Sequence, residues 1–61
     1  MKKKYLYRVY DSFGLVFSGK AETLDEFADR EGFYIANSFY GLGVLQDKKT
    51  KAVFGVQWNK V

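Results

Sequence analysis

The first patterned stretch of the chain opens on the last of three lysines and is rich in aromatic residues. Over residues 4–10, Lys-Tyr-Leu-Tyr-Arg-Val-Tyr, the residues Tyr5, Tyr7 and Val9 share one face, and the aromatic and β-branched content predicts a strand. Asp11-Ser12-Phe13-Gly14 supplies turn residues, with Gly14 free to take a positive φ. Leu15-Val16-Phe17-Ser18 then predicts a second strand, so that residues 4–18 form a β-hairpin. Which face of the hairpin is buried depends on the turn register, since a slip of one residue reverses every side chain. The sequence leaves both faces open.

The period changes after residue 22. Thr23-Leu24-Asp25-Glu26 is a capping box, in which the Thr23 hydroxyl accepts from the Glu26 N–H and the Glu26 side chain reaches back to Thr23. Leu24, Phe27 and Ala28 fall at i, i+3 and i+4, one apolar stripe, and Gly32 is a natural stop. These signals predict a helix over 24–31. The stretch 33–46 carries no charge and fits two readings. β-propensity favours a strand, but Asn37 interrupts the face shared by Phe33, Ile35 and Phe39. Ile35, Ala36, Phe39 and Tyr40 fit helical spacing, and on that ground a second helix is expected over 34–40, ended by Gly41 and Gly43.

Asp47-Lys48-Lys49-Thr50-Lys51 reads as a charged loop. Beyond it Ala52, Phe54, Val56 and Trp58 alternate with Val53, Gly55, Gln57 and Asn59, a half-buried strand over 52–59. That strand is expected to pair with the hairpin, because a two-stranded hairpin alone is marginal. The expected fold class is α+β in a single small domain, residues 1–61. It comprises an N-terminal β-hairpin, a helix-turn-helix-like pair and a C-terminal strand completing a small antiparallel sheet, with residues 1–3 as a flexible basic arm.

Composition narrows the chemistry. The 61 residues include no His, Cys or Pro, so there is no disulfide, thiol nucleophile, zinc knuckle or imidazole base. Glu22, Asp25, Glu26, Asp29 and Glu31 have the spacing of a solvated helix face rather than of a catalytic pair. Gly41-Leu42-Gly43 lacks the Lys-Ser/Thr of a phosphate loop. No enzyme, metal or cofactor is expected. Met1-Lys2-Lys3-Lys4 resembles the start of a signal peptide, but Arg8 and Asp11 break the apolar stretch that such a peptide needs next. No apolar run has membrane-spanning length. A soluble cytoplasmic protein with no membrane contact is expected.

Charge adds a direction. The net charge is +3, but residues 22–31 hold five acids and one base, while the rest holds nine bases and two acids. The molecule is therefore polarised, with basic edges on the arm and the 48–51 loop, and its partners are expected to be anionic, nucleic acid first.

In this order of elements the chain resembles the small nuclease-associated modular DNA-binding motifs of intron-encoded endonucleases, which also occur in phage proteins. The residues that carry the likeness are Tyr7-Arg8-Val9-Tyr10-Asp11 with Gly14, then Leu24, Phe27-Ala28 and Gly32, then Lys48-Lys49-Thr50-Lys51 leading into Gly55-Val56-Gln57-Trp58. The resemblance covers roughly residues 5–61. It implies a helix-turn-helix held by a small sheet and used as an accessory DNA contact.

Two functional expectations emerge. The first is a DNA-binding regulatory module of a phage or mobile element. Lys48, Lys49, Lys51 and Arg8 would contact phosphates, and Tyr34, Asn37 and Ser38 on the second helix would reach the groove. The second is a protein-interaction module, a phage-type inhibitor or adaptor of a host protein, which uses the uncharged aromatic segment 33–46, with Phe33, Tyr34, Ile35, Phe39 and Tyr40 as its interface residues. Homodimerisation through the same segment is compatible with either. Tyr5, Tyr7 and Tyr10 beside Lys4 and Arg8 suggest a stacking platform for single strands, but fit the packing of a small sheet better.

Overall fold

The computed structural model of the chain describes residues 5–61, so the basic arm expected at residues 1–3 lies outside the described residues. Five strands and one helix run in the order β1 (Tyr5–Asp11), β2 (Gly14–Ala21), α1 (Leu24–Glu31), β3 (Phe33–Phe39), β4 (Leu42–Asp47) and β5 (Val53–Lys60). All neighbours are antiparallel, and the spatial order of the strands is β2-β1-β5-β4-β3. The last strand returns to the middle of the sheet, pairing with β1 on one side and β4 on the other.

The helix forms over the span that its cap and stripe predict. Thr23 is extended, and its hydroxyl oxygen accepts from the Glu26 N–H at 3.1 Å. The reciprocal arm reaches one residue further than a capping box requires, because the Glu26 carboxylate accepts from the Glu22 N–H at 2.9 Å. Gly32 closes the helix at φ 84°, a left-handed conformation that glycine adopts without a Cβ clash.

The second helix does not form, and the helix-turn-helix pair is therefore absent. Residues 33–39 are strand β3, and 42–47 are a further strand, β4, joined to it by a turn at Tyr40 and Gly41. Gly41, at φ 73°, makes a strand-to-strand turn rather than a helix stop, and its carbonyl accepts from the Trp58 N–H at 3.0 Å. Gly43 is an interior residue of β4. The reason lies in a β-bulge. Ile35 faces Leu45 and Asn37 faces Val44, so Ala36 has no partner. The extra residue turns Asn37 away from the face of Phe33 and Ile35, which removes the conflict that favours a helix in the sequence.

The core sits between the sheet and α1. Tyr7, Val9, Ala21, Phe27, Ala28, Phe33, Leu45 and Val56 are buried. Phe27 projects from the helix onto Tyr7, with ring centroids 4.9 Å apart and nearly parallel, and lies 6.0 Å from Phe17. Trp58 tilts against Tyr7 at 5.5 Å, and Phe33 meets the ring of Phe54 edge-on at 5.5 Å. Tyr5 and Tyr7 thus point into the helix side, and only Tyr10 of the three strand tyrosines has outward parity, opposite Gly55. Among the described residues no helix is long and apolar enough to cross a membrane.

Candidate functional site

One helix covers one face of the sheet, and the outward positions of the same strands are left without a protein layer. Strand register arranges them in cross-strand rows. One row runs Leu15, Tyr10, Gly55, Val44 and Asn37; the next runs Ser18, Arg8, Gln57, Leu42 and Phe39. Leu15 is 58%, Phe39 63%, Leu42 47% and Val53 63% exposed. An antiparallel sheet with one solvated face ordinarily puts polar residues there. Here the middle of that face is apolar.

A shallow groove of about 410 Å³ crosses this apolar centre, lined by Tyr10, Phe39, Leu42, Val44, Gly55 and Gln57 among others. Its floor is Gly55, the position in the central strand with no side chain. A second hollow continues from it toward the β1–β2 turn, past Tyr10, Asp11, Ser12 and Val44. The polar part of the face centres on Arg8. With the Asn59 amide turned to satisfy its neighbours, its Oδ1 accepts from Arg8 Nη1 at 3.3 Å and its Nδ2 donates to the Trp58 carbonyl at 3.1 Å.

Among the described residues no carboxylate holds an outward strand position. Asp11 stands at the rim, where its Oδ1 accepts from the N–H groups of Phe13 at 2.7 Å and Gly14 at 3.1 Å. Asp25, Glu26, Asp29 and Glu31 are exposed on the helix, in the opposite layer.

The sequence-predicted site residues divide into separate groups. Lys48, Lys49 and Lys51 lie in the β4–β5 turn, which Asp47 organises: its Oδ1 accepts from the Lys49 N–H at 2.7 Å and the Thr50 N–H at 3.0 Å. Those two backbone donors, Thr50 first, stabilise the anion and hold the Asp47 carboxyl below the usual carboxylate range. Lys51 closes the turn at φ 66°. Lys48 is anchored to the helix end, its N–H donating to the Gly32 carbonyl at 3.1 Å and its Nζ 3.8 Å from Asp29 Oδ1. The ammonium groups of Lys48 and Lys51 stand 5.5 and 5.4 Å from the ring of Tyr34, a cation–π pair. The structure thus brings Lys48, Lys51 and Tyr34 together. Arg8 is not with them: three strand spacings, roughly 14 Å, separate β1 from β3.

Asn37 and Ser38 belong to a strand and not to a groove-reading helix, so that role falls away. The Asn37 Oδ1 accepts from the Ser38 N–H at 2.9 Å. Of the residues expected at a protein interface, Phe33 is buried and Ile35 packs against the core, so neither is presented. Tyr34, Phe39 and Tyr40 are exposed. The segment 33–46 includes Leu42 and Val44 but its pattern did not single them out, and the reading of β1 and β5 did not join Tyr10 to Gly55. The signal that could have found them was the apolar character of both parities in 39–45, which a one-sided strand does not need.

Comparison with protein-family models, with curated proteins and with solved structures finds no match to this chain.

Proposed function

We propose that the protein is a small binding module that docks a partner protein on the open face of its sheet. The observation that carries this reading is the contiguous apolar groove around Gly55, flanked by exposed Leu42 and Phe39. Exposed apolar surface of this kind, rimmed by polar residues, is the ordinary character of an interaction site. The two sheet edges support face docking over strand addition. β2 and β3 are the outer strands, and each is interrupted by a bulge, at Val16 and at Ala36. Bulges twist an edge away from pairing with another chain.

The test is capture on the immobilised full chain from a lysate of cells that make it, with and without nuclease treatment. A protein retained by wild type and by Lys49→Ala, but lost on Leu42→Asp, is the expected result. Recovery that disappears with nuclease treatment would sink the reading.

A second reading is favoured by the segregation of charge, with carboxylates gathered on the helix layer. In it the lysines of the β4–β5 turn and Arg8 contact DNA phosphates, without a groove-reading helix. Binding to generic duplex at low salt, weakened by Lys48→Ala with Lys49→Ala, is its expected signature. No binding in low salt would end it.

A further inference from the structure

Gly55 has no explanation within its own chain. Gly14, Gly32 and Gly41 sit at positive φ, where a Cβ is strained. Gly19 and Gly43 face the core, where an added Cβ would come within 3.1 Å of Phe27 and 3.0 Å of the Asn37 carbonyl. Gly55 does neither: its φ is not in the left-handed range, and an added Cβ meets nothing within 4 Å. Its pairing is continuous on both sides, opposite Tyr10 in β1 and Val44 in β4, so it marks no bulge. A glycine inside a regular strand weakens that strand, and where neither bulge nor bend accounts for it, the remaining use is close approach by a ligand or another chain.

The surroundings of the gap say what kind of group approaches. Tyr10 and Val44 form its walls, with Leu42 and Phe39 beyond, so the part of the occupant that enters is apolar. Arg8 is two residues from Tyr10 and diagonal to Gly55 across the β1–β5 pair, within reach of a group seated there. Lys20 lies further along the same outward parity of the hairpin. The Asp11 carboxylate, held by its own turn, keeps its charge at the β1–β2 end of the hollow, so the positive charge of Arg8 and Lys20 stands at the other end of the face and sets the direction in which an acidic segment would lie. The continuation of the groove toward the β1–β2 turn suits an extended segment rather than a single side chain.

We propose that the groove over Gly55 is an anchor pocket for an acidic peptide segment of a partner protein. An aromatic or aliphatic side chain of that segment fills the gap, and a neighbouring Asp or Glu pairs with Arg8. This rests on the protein-docking reading above and names the chemistry of the partner. The Arg8 guanidinium offers a planar fork that a carboxylate can take up on two oxygens.

The test is a random-peptide display selection on the full chain, with depletion on Gly55→Val. That variant plugs the groove from a position where its Cβ has room, and its strand propensity exceeds that of glycine. Circular dichroism and a thermal melt check that it folds; Leu42→Asp, also outward, removes an apolar wall and adds a repelling carboxylate, and serves as the second disabling variant. Enriched peptides that combine Asp or Glu with Phe, Trp or Leu are expected. Their affinity, read by fluorescence anisotropy, should fall at least roughly tenfold in Gly55→Val and about tenfold in Arg8→Gln.

Groove-dependent peptides that are neutral or basic would overturn the acidic partner and leave the docking face standing. Failure of any peptide to distinguish wild type from both Gly55→Val and Leu42→Asp would overturn the docking face as well. A wild-type dimer in sedimentation equilibrium that Gly55→Val dissociates would show that a second copy fills the groove, against the proposal. Oligothymidylate binding at low salt that is lost in both Arg8→Gln and Gly55→Val would assign the face to nucleic acid instead.

Discussion

The two faces of the sheet are built from alternate residues of the same strands, yet they have different fates. On the helix side, Tyr7, Val9, Leu45 and Val56 close against Phe27 and are lost to solvent. On the other, Tyr10, Val44, Leu42 and Phe39 sit at the alternate positions of β1, β4 and β3 and stay in reach of water. Both sets are apolar, so hydrophobicity alone does not decide which is core. The single eight-residue helix decides it, because it can cover only one face. The contrast teaches that one face holds the molecule together, while the other contributes little to the core.

The comparison breaks most sharply at Phe27. It is fully buried and stacked between Tyr7 and Phe17, and it is the helix's main contribution to the core. Removing a buried ring costs about 3–5 kcal/mol. A core of this size supplies only about that much in net stability. Phe27→Ala should therefore leave the chain largely unfolded in far-UV circular dichroism, whereas Phe39→Ala on the open face should shift the urea midpoint by no more than the equivalent of about 0.5 kcal/mol. Similar losses from both would mean that the open face is a second core.

Alkaline pH probes the covered face in a second way. Burial pushes the Tyr7 hydroxyl up to about 12, with further repulsion from Tyr5, Glu26 and Asp25. The folded state thus holds the neutral phenol more tightly than the unfolded chain does. Its contribution is fully present below the unfolded value near 10 and is lost as pH rises from there to about 12. Urea titrations should show wild type losing stability over that window more steeply than Tyr7→Phe, which has no proton to lose. Parallel curves would contradict the burial of that hydroxyl.

How far the sequence reveals this arrangement depends on the range of the interactions. The helix was legible because its determinants are local: Thr23, Glu26 and Gly32 each act within one turn. The first and last strands showed through because their alternation is unbroken on the helix side. β3 was not legible, since one unpaired residue, Ala36, shifts the parity of everything after it, and only the partner strand β4 shows that a bulge is present. The candidate face was harder still. Tyr10, Gly55 and Val44 are far apart in sequence and become neighbours only through the return of β5 to the middle of the sheet. Lys48 and Lys51 were visible as charges, but not their shared contact with Tyr34.

Glycine substitution applies the same small perturbation to each face. Gly43 points inward, where a Cβ would lie 3.0 Å from the Asn37 carbonyl, 3.1 Å from Val56 Cγ1 and 3.4 Å from the Trp58 ring. The closest of these is backbone, which yields poorly, and overpacking of this kind costs about 1–3 kcal/mol. Gly43→Ala should lower the melting temperature by several degrees, roughly 4–8 °C for each kcal/mol in a domain this small.

Gly55→Ala is the smallest of the expected effects and has the opposite sign. The added methyl meets nothing, and the backbone is one that an L-residue adopts without strain. The change therefore acts mainly through the unfolded chain, which loses conformational freedom, and should stabilise the fold by about 0.4–1 kcal/mol. A melting temperature that rises for Gly55→Ala and falls for Gly43→Ala would place the two glycines on opposite sides of the sheet by energetics alone. It would also show that glycine at 55 is kept against the interest of stability, as expected if that position serves a partner. A fall of similar size in both would mean that Gly55 answers to the fold after all, and the open groove would lose its strongest argument.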